Sequence, residues 1–130
     1  EGPILGFADK NIHVEDPFLW YDEGRKKFCL LAKDDSKAGR GITGEWGSGF
    51  YAESEDCIHF IASDQPQAYS RRVRFAAGEE KLMCNLERPW LAFRNGRPEY
   101  LFNATGNGDG PYAFRGNTYI LSQKLKAGGE

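Results

Sequence analysis

The strongest constraint on the fold of this 130-residue chain is an internal repeat. When the sequence is shifted by 72 positions, residues 15–21 fall on residues 87–93, and the alignment continues without a gap until Ala32 falls on Ala104. Each copy has a carboxylate two residues before a proline, an aromatic segment, a glycine turn and a second apolar segment. A repeated hairpin unit of this size predicts sheets that stack against each other, because one unit alone cannot bury its apolar face.

Strand-like segments, rich in aromatic or β-branched residues and bounded by Gly, Asn, Asp or Pro, fill most of the chain, and helical periodicity is nearly absent. Asn95-Gly96 between two apolar segments predicts a tight hairpin, because both residues tolerate positive φ. Residues 34–49, which contain several glycines, are predicted to form a long loop. The predicted strands are residues 18–21, 27–33, 49–54, 58–62, 72–76, 90–94, 99–104 and 118–123.

These features predict an all-β fold of antiparallel four-stranded β-propeller blades, with blade-like units at residues 12–76 and 82–125. Two blades are too few to close a ring and would leave wide unpaired faces. The chain starts at Glu1 without Met, and we interpret this start as truncated. The incomplete ring is then completed either by further blades of a longer protein or by a homo-oligomer.

Composition and charge narrow the range of partners. Lys and Arg number 17 and Asp and Glu 19, a net charge of −2, so the chain lacks the basic surface that nucleic-acid binding requires. Its uncharged apolar runs are too short to cross a membrane. The three cysteines are an odd number with no C-x-x-C motif, which argues against a disulfide framework and a zinc site. We therefore predict no nucleic acid, membrane, metal or cofactor as a partner, and the sequence indicates no compartment.

Three short segments carry acidic and aromatic motifs: Asp16-Pro17-Phe18-Leu19-Trp20-Tyr21-Asp22, Ser54-Glu55-Asp56-Cys57-Ile58-His59-Phe60 and Leu86-Glu87-Arg88-Pro89-Trp90-Leu91. Together they resemble motifs of five-bladed β-propeller glycosidases related to glycoside hydrolase family 43. The first resembles a second-blade signature, the second a common strand end, and the third the blade that carries the general acid. Cys57 stands where the strand-end motif usually has glycine. The likeness covers most of residues 12–125.

The resemblance implies three acids at a central funnel: an Asp base, an Asp that positions and tunes the acid, and a Glu general acid. Asp16 matches the tuning Asp and Glu87 matches the acid, which would give hydrolysis with inversion. The base has no counterpart, because the blade that should carry it would lie before Glu1. Independently of the family, glycoside hydrolysis needs one protonated and one ionised carboxyl, and two carboxyls in one cleft push their pKa values apart. The proline after each acid should hold the preceding residue extended and aim the acids at one centre.

Each acid also has a structural interpretation. Glu87 can form an ion pair with an arginine at a strand entrance, and Asp16 can bond the backbone near Pro17 in an Asx-type turn. Glu15 occupies the repeat position of Glu87, so it either faces the same centre or makes a structural pair.

Residues that would hold a sugar are predicted from their types and positions. Trp46, in the glycine-rich loop, is expected to be exposed and to face the ligand, whereas Trp20 and Trp90 lie mid-strand and are expected in the core. His13 lies three residues before Asp16, although such a histidine is more often a structural residue. The predicted substrate-binding residues are Trp46, Arg88, Arg40, His13 and Glu15.

The sequence therefore predicts a portion of a glycosidase-like propeller that acts on or binds carbohydrate. Two alternatives stay open: a carbohydrate-binding module without catalysis, and an assembly module in which a truncated propeller oligomerises.

Overall fold

The computed structural model describes residues 2, 4–37, 41–108, 110, 112–113 and 115–126. These residues form β-strands, turns and loops without a helix, which confirms the prediction of an all-β fold. Within them, no helix has the length and apolar character needed to cross a bilayer. The strands are β1 (Val14–Asp22), β2 (Lys27–Asp34), β3 (Gly49–Ser54), β4 (Ile61–Tyr69), β5 (Arg72–Arg74), β6 (Glu80–Leu82), β7 (Glu87–Arg94), β8 (Arg97–Gly106) and β9 (Thr118–Lys124).

The strands pair into three antiparallel sheets. The first is a four-stranded meander in the order β1-β2-β3-β4, the second is the pair β5-β6, and the third is a three-stranded meander β7-β8-β9. Only the first unit thus has the four strands predicted for both, as far as the described residues go. The predicted strand at residues 58–62 is displaced, since β4 begins at Ile61 and runs to Tyr69. Strand β6 was not predicted, because its three residues include two charged side chains and show no alternation.

The repeat is visible in the backbone as two β-bulges at equivalent places. One lies between Glu15 and Phe18 of β1, and the other between Glu87 and Trp90 of β7. Each bulge contains the proline of its repeat, whose missing N–H would interrupt a regular strand pair. The shared proline motif therefore produces the same irregularity in both sheets.

The residue before each proline adopts a conformation that differs from the prediction. Asp16 has a φ of 55° and Arg88 a φ of 48°, both in the left-handed region. The proline was expected to hold them extended. This expectation is wrong, because the bulge places the residue before the proline in the left-handed region. Asp adopts the left-handed conformation more readily than Arg, so the strain is larger at Arg88.

The gapless alignment of the two repeats holds for the first strand of each hairpin and fails by one residue in the second. Glu15 pairs with Lys33 in the first sheet, whereas Glu87 pairs with Ala104 in the third. Lys33 and Ala104 are therefore structural equivalents, although they are not aligned in the sequence. Only the first repeat has a lysine opposite its entrance carboxylate.

The turns account for the difference in register. Asn95 and Gly96 have φ values of 51° and 74° and form a two-residue hairpin turn, as predicted. The corresponding turn of the first repeat, residues 23–26, is longer. A further irregularity in the β7–β8 pair between Ala92 and Phe93 offsets part of this difference.

The main apolar core lies between the first and third sheets. Leu31 and Tyr69 from the first sheet pack in one cluster with Leu91, Leu101 and Leu121 from the third. All five side chains are buried. This interface brings the two bulges close together.

A second core cluster covers the opposite face of the first sheet. Leu30, Ala32 and Phe50 are buried there, and the chain before β1 packs on them through Leu5 and Phe7. The inner strands of the first sheet are therefore covered on both faces.

The mid-strand tryptophans behave differently from each other. Trp20 packs against the core between the sheets, as predicted. Trp90 is 55% exposed on the outer face of the third sheet, so its assignment to the core is wrong. It alternates with buried Leu91 along β7, and a mid-strand position does not tell which of the two faces a side chain occupies.

Gly49→Ala is expected to lower the free energy of unfolding by about 1–3 kcal/mol, because an added Cβ would overlap the ring of Tyr69. That ring is buried, and its hydroxyl donates a hydrogen bond to the Leu86 carbonyl at 3.3 Å, so it cannot move aside freely. Denaturant unfolding measures the change. Gly6→Ala is the control, since nothing lies within 4 Å of its added Cβ; equal stability of the two variants would contradict this packing.

Candidate functional site

Three carboxylates meet where the two repeats come together. Glu15 and Asp16 of β1 and Glu87 of β7 each place an oxygen within 4.8 Å of the others. We call these three residues the acidic cluster. Lys33 of β2 contacts two of them, with its Nζ 2.5 Å from Glu15 Oε1 and 2.6 Å from Glu87 Oε2. Its side chain is only 1% exposed. The cluster is thus built around a buried ammonium group.

The charge of Lys33 is stabilised by its acidic neighbours. Burial by itself lowers the pKa of Lys33, but its hydrogen bonds to Glu15 and Glu87 and their negative charges outweigh burial, and the pKa is raised above the ordinary value of 10.5. Asp35 adds a third carboxylate at 3.6 Å. The charged ammonium therefore forms charge-assisted hydrogen bonds with Glu15 and Glu87.

Asp16 connects the two bulges directly. Its Oδ2 accepts a hydrogen bond of 3.3 Å from the backbone N–H of Arg88. The structural interpretations predicted from the sequence were a local turn for Asp16 and an ion pair with an arginine for Glu87. Instead, Asp16 bridges to the other repeat, and Glu87 pairs with Lys33.

Three carboxylates this close also match the donor set of a hard cation. The Lys33 nitrogen, however, lies within hydrogen-bond distance of two of them, so the chain itself supplies a positive charge at that position. We therefore interpret the arrangement as an ion-pair network and not as a cation site. The absence of a metal stays a prediction.

Asn85 supports Glu87 from behind. It is fully buried, and its Nδ2 donates a hydrogen bond to Glu87 Oε1. Its Oδ1 accepts the backbone N–H of Tyr112 at 2.6 Å, and its carbonyl accepts the Thr105 hydroxyl at 2.5 Å. Asn85 thereby fixes the Glu87 carboxylate relative to the segment that carries Tyr112.

Two aromatic side chains lie beside the acidic cluster. Trp46 and Tyr112 contact each other edge to face with ring centroids 5.5 Å apart, and we call them the aromatic wall. Lys33 Nζ lies 5.9 Å from the centre of the Trp46 ring, and the Arg71 guanidinium lies 5.1 Å from it. Trp46 is half-buried instead of exposed as expected, whereas Tyr112 is 61% exposed and its hydroxyl approaches Asp35 at 3.5 Å.

The loop that carries Trp46 is anchored by a buried carboxylate. Asp34 accepts hydrogen bonds from the backbone N–H of Ser36 at 3.0 Å and from both the N–H and the hydroxyl of Thr43 at 3.0 and 2.7 Å. Burial by itself raises the pKa of Asp34, but these hydrogen bonds outweigh it and the pKa falls below the ordinary value of 3.8. Asp34 therefore folds the predicted loop back onto the sheet.

Asp34→Asn is expected to lower the free energy of unfolding by about 1.5–3 kcal/mol near neutral pH, since hydrogen bonds to a buried charged acceptor are lost. The folded-state pKa of Asp34 lies below its ordinary value of 3.8, so its contribution is complete above that value and is lost as the pH falls through the lower folded value. Urea unfolding should thus show a difference near neutral pH that shrinks in strong acid. Exposed Asp64→Asn is the control; a difference independent of pH would contradict the charged anchor.

Some predicted site residues lie outside this arrangement. The side chain of Arg88 is exposed, and only its backbone contacts the acidic cluster. His13 is exposed, and its backbone N–H bonds the Ser36 hydroxyl at 2.9 Å. Arg40 lies outside the described residues. Of the predicted residues, the structure brings together Glu15, Asp16 and Glu87, with Trp46 beside them.

Sequence reasoning missed four residues of the site. Lys33 offered a signal, because a lysine that directly follows the apolar run 29–32 of a strand is placed where burial needs an acidic partner. Asp35, Asn85 and Tyr112 offered none, since loop geometry brings them to the cluster.

Comparisons of the chain with models of known protein families, with curated proteins and with solved structures gave no match. The functional conclusion therefore depends on the acidic cluster and the aromatic wall themselves.

Proposed function

We propose that the acidic cluster and the aromatic wall bind a neutral carbohydrate, and that the chain is a portion of a β-propeller of the glycosidase type. The observation that carries this proposal is the position of charged carboxylates, fixed by buried Lys33, next to Trp46 and exposed Tyr112. The four-stranded meander of the first sheet and the repeated bulges support the blade interpretation.

The chemistry of the two parts is complementary. Ionised carboxylates accept hydrogen bonds and donate none, so they suit the hydroxyl groups of a sugar. Aromatic rings suit the C–H face of a sugar ring, and Tyr and Trp combine an apolar body with a polar group. The four carboxylates at the site outnumber the two cations, Lys33 and Arg71, so the local charge is negative and sugars that carry carboxylates or sulfates are disfavoured. These carboxylates belong to Glu15, Asp16, Asp35 and Glu87.

Hydrolysis is the second candidate, with Glu87 as general acid and Asp16 as the residue that tunes it. One observation favours it: the oxygens of Asp16 and Glu87 lie within 4.8 Å, close enough for one charge to affect the other. A general acid must be free to give a proton to the substrate, however, and both Glu87 oxygens are already in contact with other side chains: Oε2 lies 2.6 Å from Lys33 Nζ, and Oε1 accepts a hydrogen bond from Asn85. Inverting hydrolysis also needs a base about 6.5–9.5 Å from the acid, and the motifs that resemble the glycosidase family supply no counterpart of that base. Binding without cleavage is therefore the better-supported function.

Calorimetric titration with a panel of neutral oligosaccharides tests the proposal, combined with chromatography of each sugar after incubation. We expect saturable binding of at least one sugar, which is recovered intact. Recovery of shortened sugars would replace binding by hydrolysis, and absence of binding to the whole panel would contradict both.

Glu87→Gln is expected to weaken sugar binding about 10- to 100-fold, because a charged acceptor is replaced by a neutral one. The same titration measures the affinity, and circular dichroism checks that the fold is retained. Exposed Glu79→Gln should bind like the unmodified chain. Equal affinities for the two variants would remove Glu87 from the site.

A further inference from the structure

The outer face of the third sheet is apolar and largely exposed, with one contact between the Trp90 and Phe18 rings at its edge, where the ring centroids lie 6.4 Å apart. Trp90 and Phe102 are paired across β7 and β8, and Ile120 lies opposite Ala104 across β8 and β9. Trp90 is 55% exposed and Ile120 68% exposed. We call Trp90, Phe102 and Ile120 the Trp90 face. Contiguous apolar side chains on a sheet face mark a surface that another element covers.

The first sheet has an apolar groove on the face that points away from the third sheet. Its cavity of about 170 Å³ is lined mainly by apolar side chains, among them Pro17, Leu19, Leu30 and Ala32. We call it the Leu19 groove. Leu19 is 40% exposed there, so the groove is accessible from solvent.

The repeat relates these two surfaces to an interface that already exists inside the chain. Phe18 occupies the position of Trp90 at the end of its bulge, and Leu91 and Leu101 occupy the positions of Leu19 and Leu30. Within one chain, Phe18 packs against the core cluster that contains Leu91 and Leu101. The Phe18 face of the first repeat thus covers the second repeat. At the two ends, the Trp90 face is largely exposed, and the Leu19 groove is partly filled by Ile4 and Leu5, with Leu19 still exposed beside them.

We propose that a second copy of this chain docks head to tail, with the Trp90 face of one copy in the Leu19 groove of the other. The contact would repeat the intramolecular packing between the two units, because it uses apolar residues at equivalent positions of the repeat. Such a contact is heterologous, and each added copy presents a new free surface, which produces larger assemblies or a closed ring. This proposal does not rest on carbohydrate binding, although Glu15 lines both the Leu19 groove and the acidic cluster.

Sedimentation velocity over a wide concentration range tests the proposal with three variants. The unmodified chain should rise above the monomer mass of 14.6 kDa as its concentration increases. Trp90→Lys and Leu19→Asp should each stay monomeric, because each places a charge in the contact. Ile61→Lys, an exposed residue on the other face of the first sheet from the groove, should associate like the unmodified chain. Ile120→Lys replaces Trp90→Lys if the latter does not fold.

A mixture of the two monomeric variants gives the sharpest result. Trp90→Lys keeps an intact Leu19 groove, and Leu19→Asp keeps an intact Trp90 face, so together they should form a one-to-one dimer that grows no further. If the unmodified chain stays monomeric at every concentration, the proposal is overturned. Association of Leu19→Asp alone would also overturn it, because a symmetric contact between two Trp90 faces would then be sufficient.

Discussion

Replacing Lys33 by Met is expected to lower the free energy of unfolding by about 3–5 kcal/mol near neutral pH, the range found when one partner of a buried ion pair is removed. The ammonium is 1% exposed and lies between Glu15 and Glu87. Without it, these carboxylates and Asp16 would face one another within 4.8 Å with no counter-charge from Lys33. Denaturant unfolding followed by tryptophan fluorescence measures the loss.

The pH dependence separates this electrostatic effect from simple loss of packing. The pKa of Lys33 is raised, so its contribution in the unmodified chain is complete below the ordinary value of 10.5 and is lost as the pH rises through the higher folded value. The deficit of Lys33→Met should therefore be complete near neutral pH and shrink in strong alkali, and Glu87→Gln in the same chain should restore part of the stability. Lys27→Met, which breaks an exposed pair with Glu55, should change little. A deficit no larger than that of Lys27→Met would contradict the buried network.

Trp46→Ala is expected to weaken the binding of a neutral oligosaccharide at least ~10-fold, as removal of an aromatic anchor does in other binding sites. Trp46 lies next to the Lys33 ammonium and packs on Tyr112. Its ring is the more buried of the two rings in the aromatic wall. Tyr112→Ala should have a smaller effect, because its ring is more exposed. Calorimetric titration measures both affinities.

Trp90→Ala is the matched control, since this tryptophan lies on the outer face of the third sheet. Its affinity for the sugar should equal that of the unmodified chain at low protein concentration. If Trp46→Ala and Trp90→Ala bind equally well, the aromatic wall is not part of the site.

Much of the fold could be predicted from the sequence because the repeat and the turns are local signals. The all-β class and the Asn95-Gly96 hairpin were predicted correctly. The one-residue change of register could not be predicted, because it depends on the length of a turn and on a second bulge. The exposure of Trp90 could not be predicted either, since alternation along a strand identifies two faces without telling which one another sheet covers.

The candidate site could be predicted only in part, because it too depends on strand register. The repeat predicted that Asp16 and Glu87 would lie close together, and their oxygens are within 4.8 Å. Their roles stay predictions. Lys33 was missed because the gapless alignment matches Ala32 to Ala104. In the structure it is Lys33 that occupies the position equivalent to Ala104, across from the entrance carboxylate. The charge that organises the site thus became visible only with the strand register.

The most direct test of carbohydrate binding at the acidic cluster is a nuclear magnetic resonance titration that follows the Trp46 indole N–H and the Lys33 side chain while neutral oligosaccharide is added. Both groups lie at the site, 5.9 Å apart from nitrogen to ring centre. Saturable shifts of both signals at one common affinity, with the sugar intact, are the predicted result. Shifts confined to residues far from Glu15, Asp16 and Glu87, or no shifts with any sugar, would contradict it.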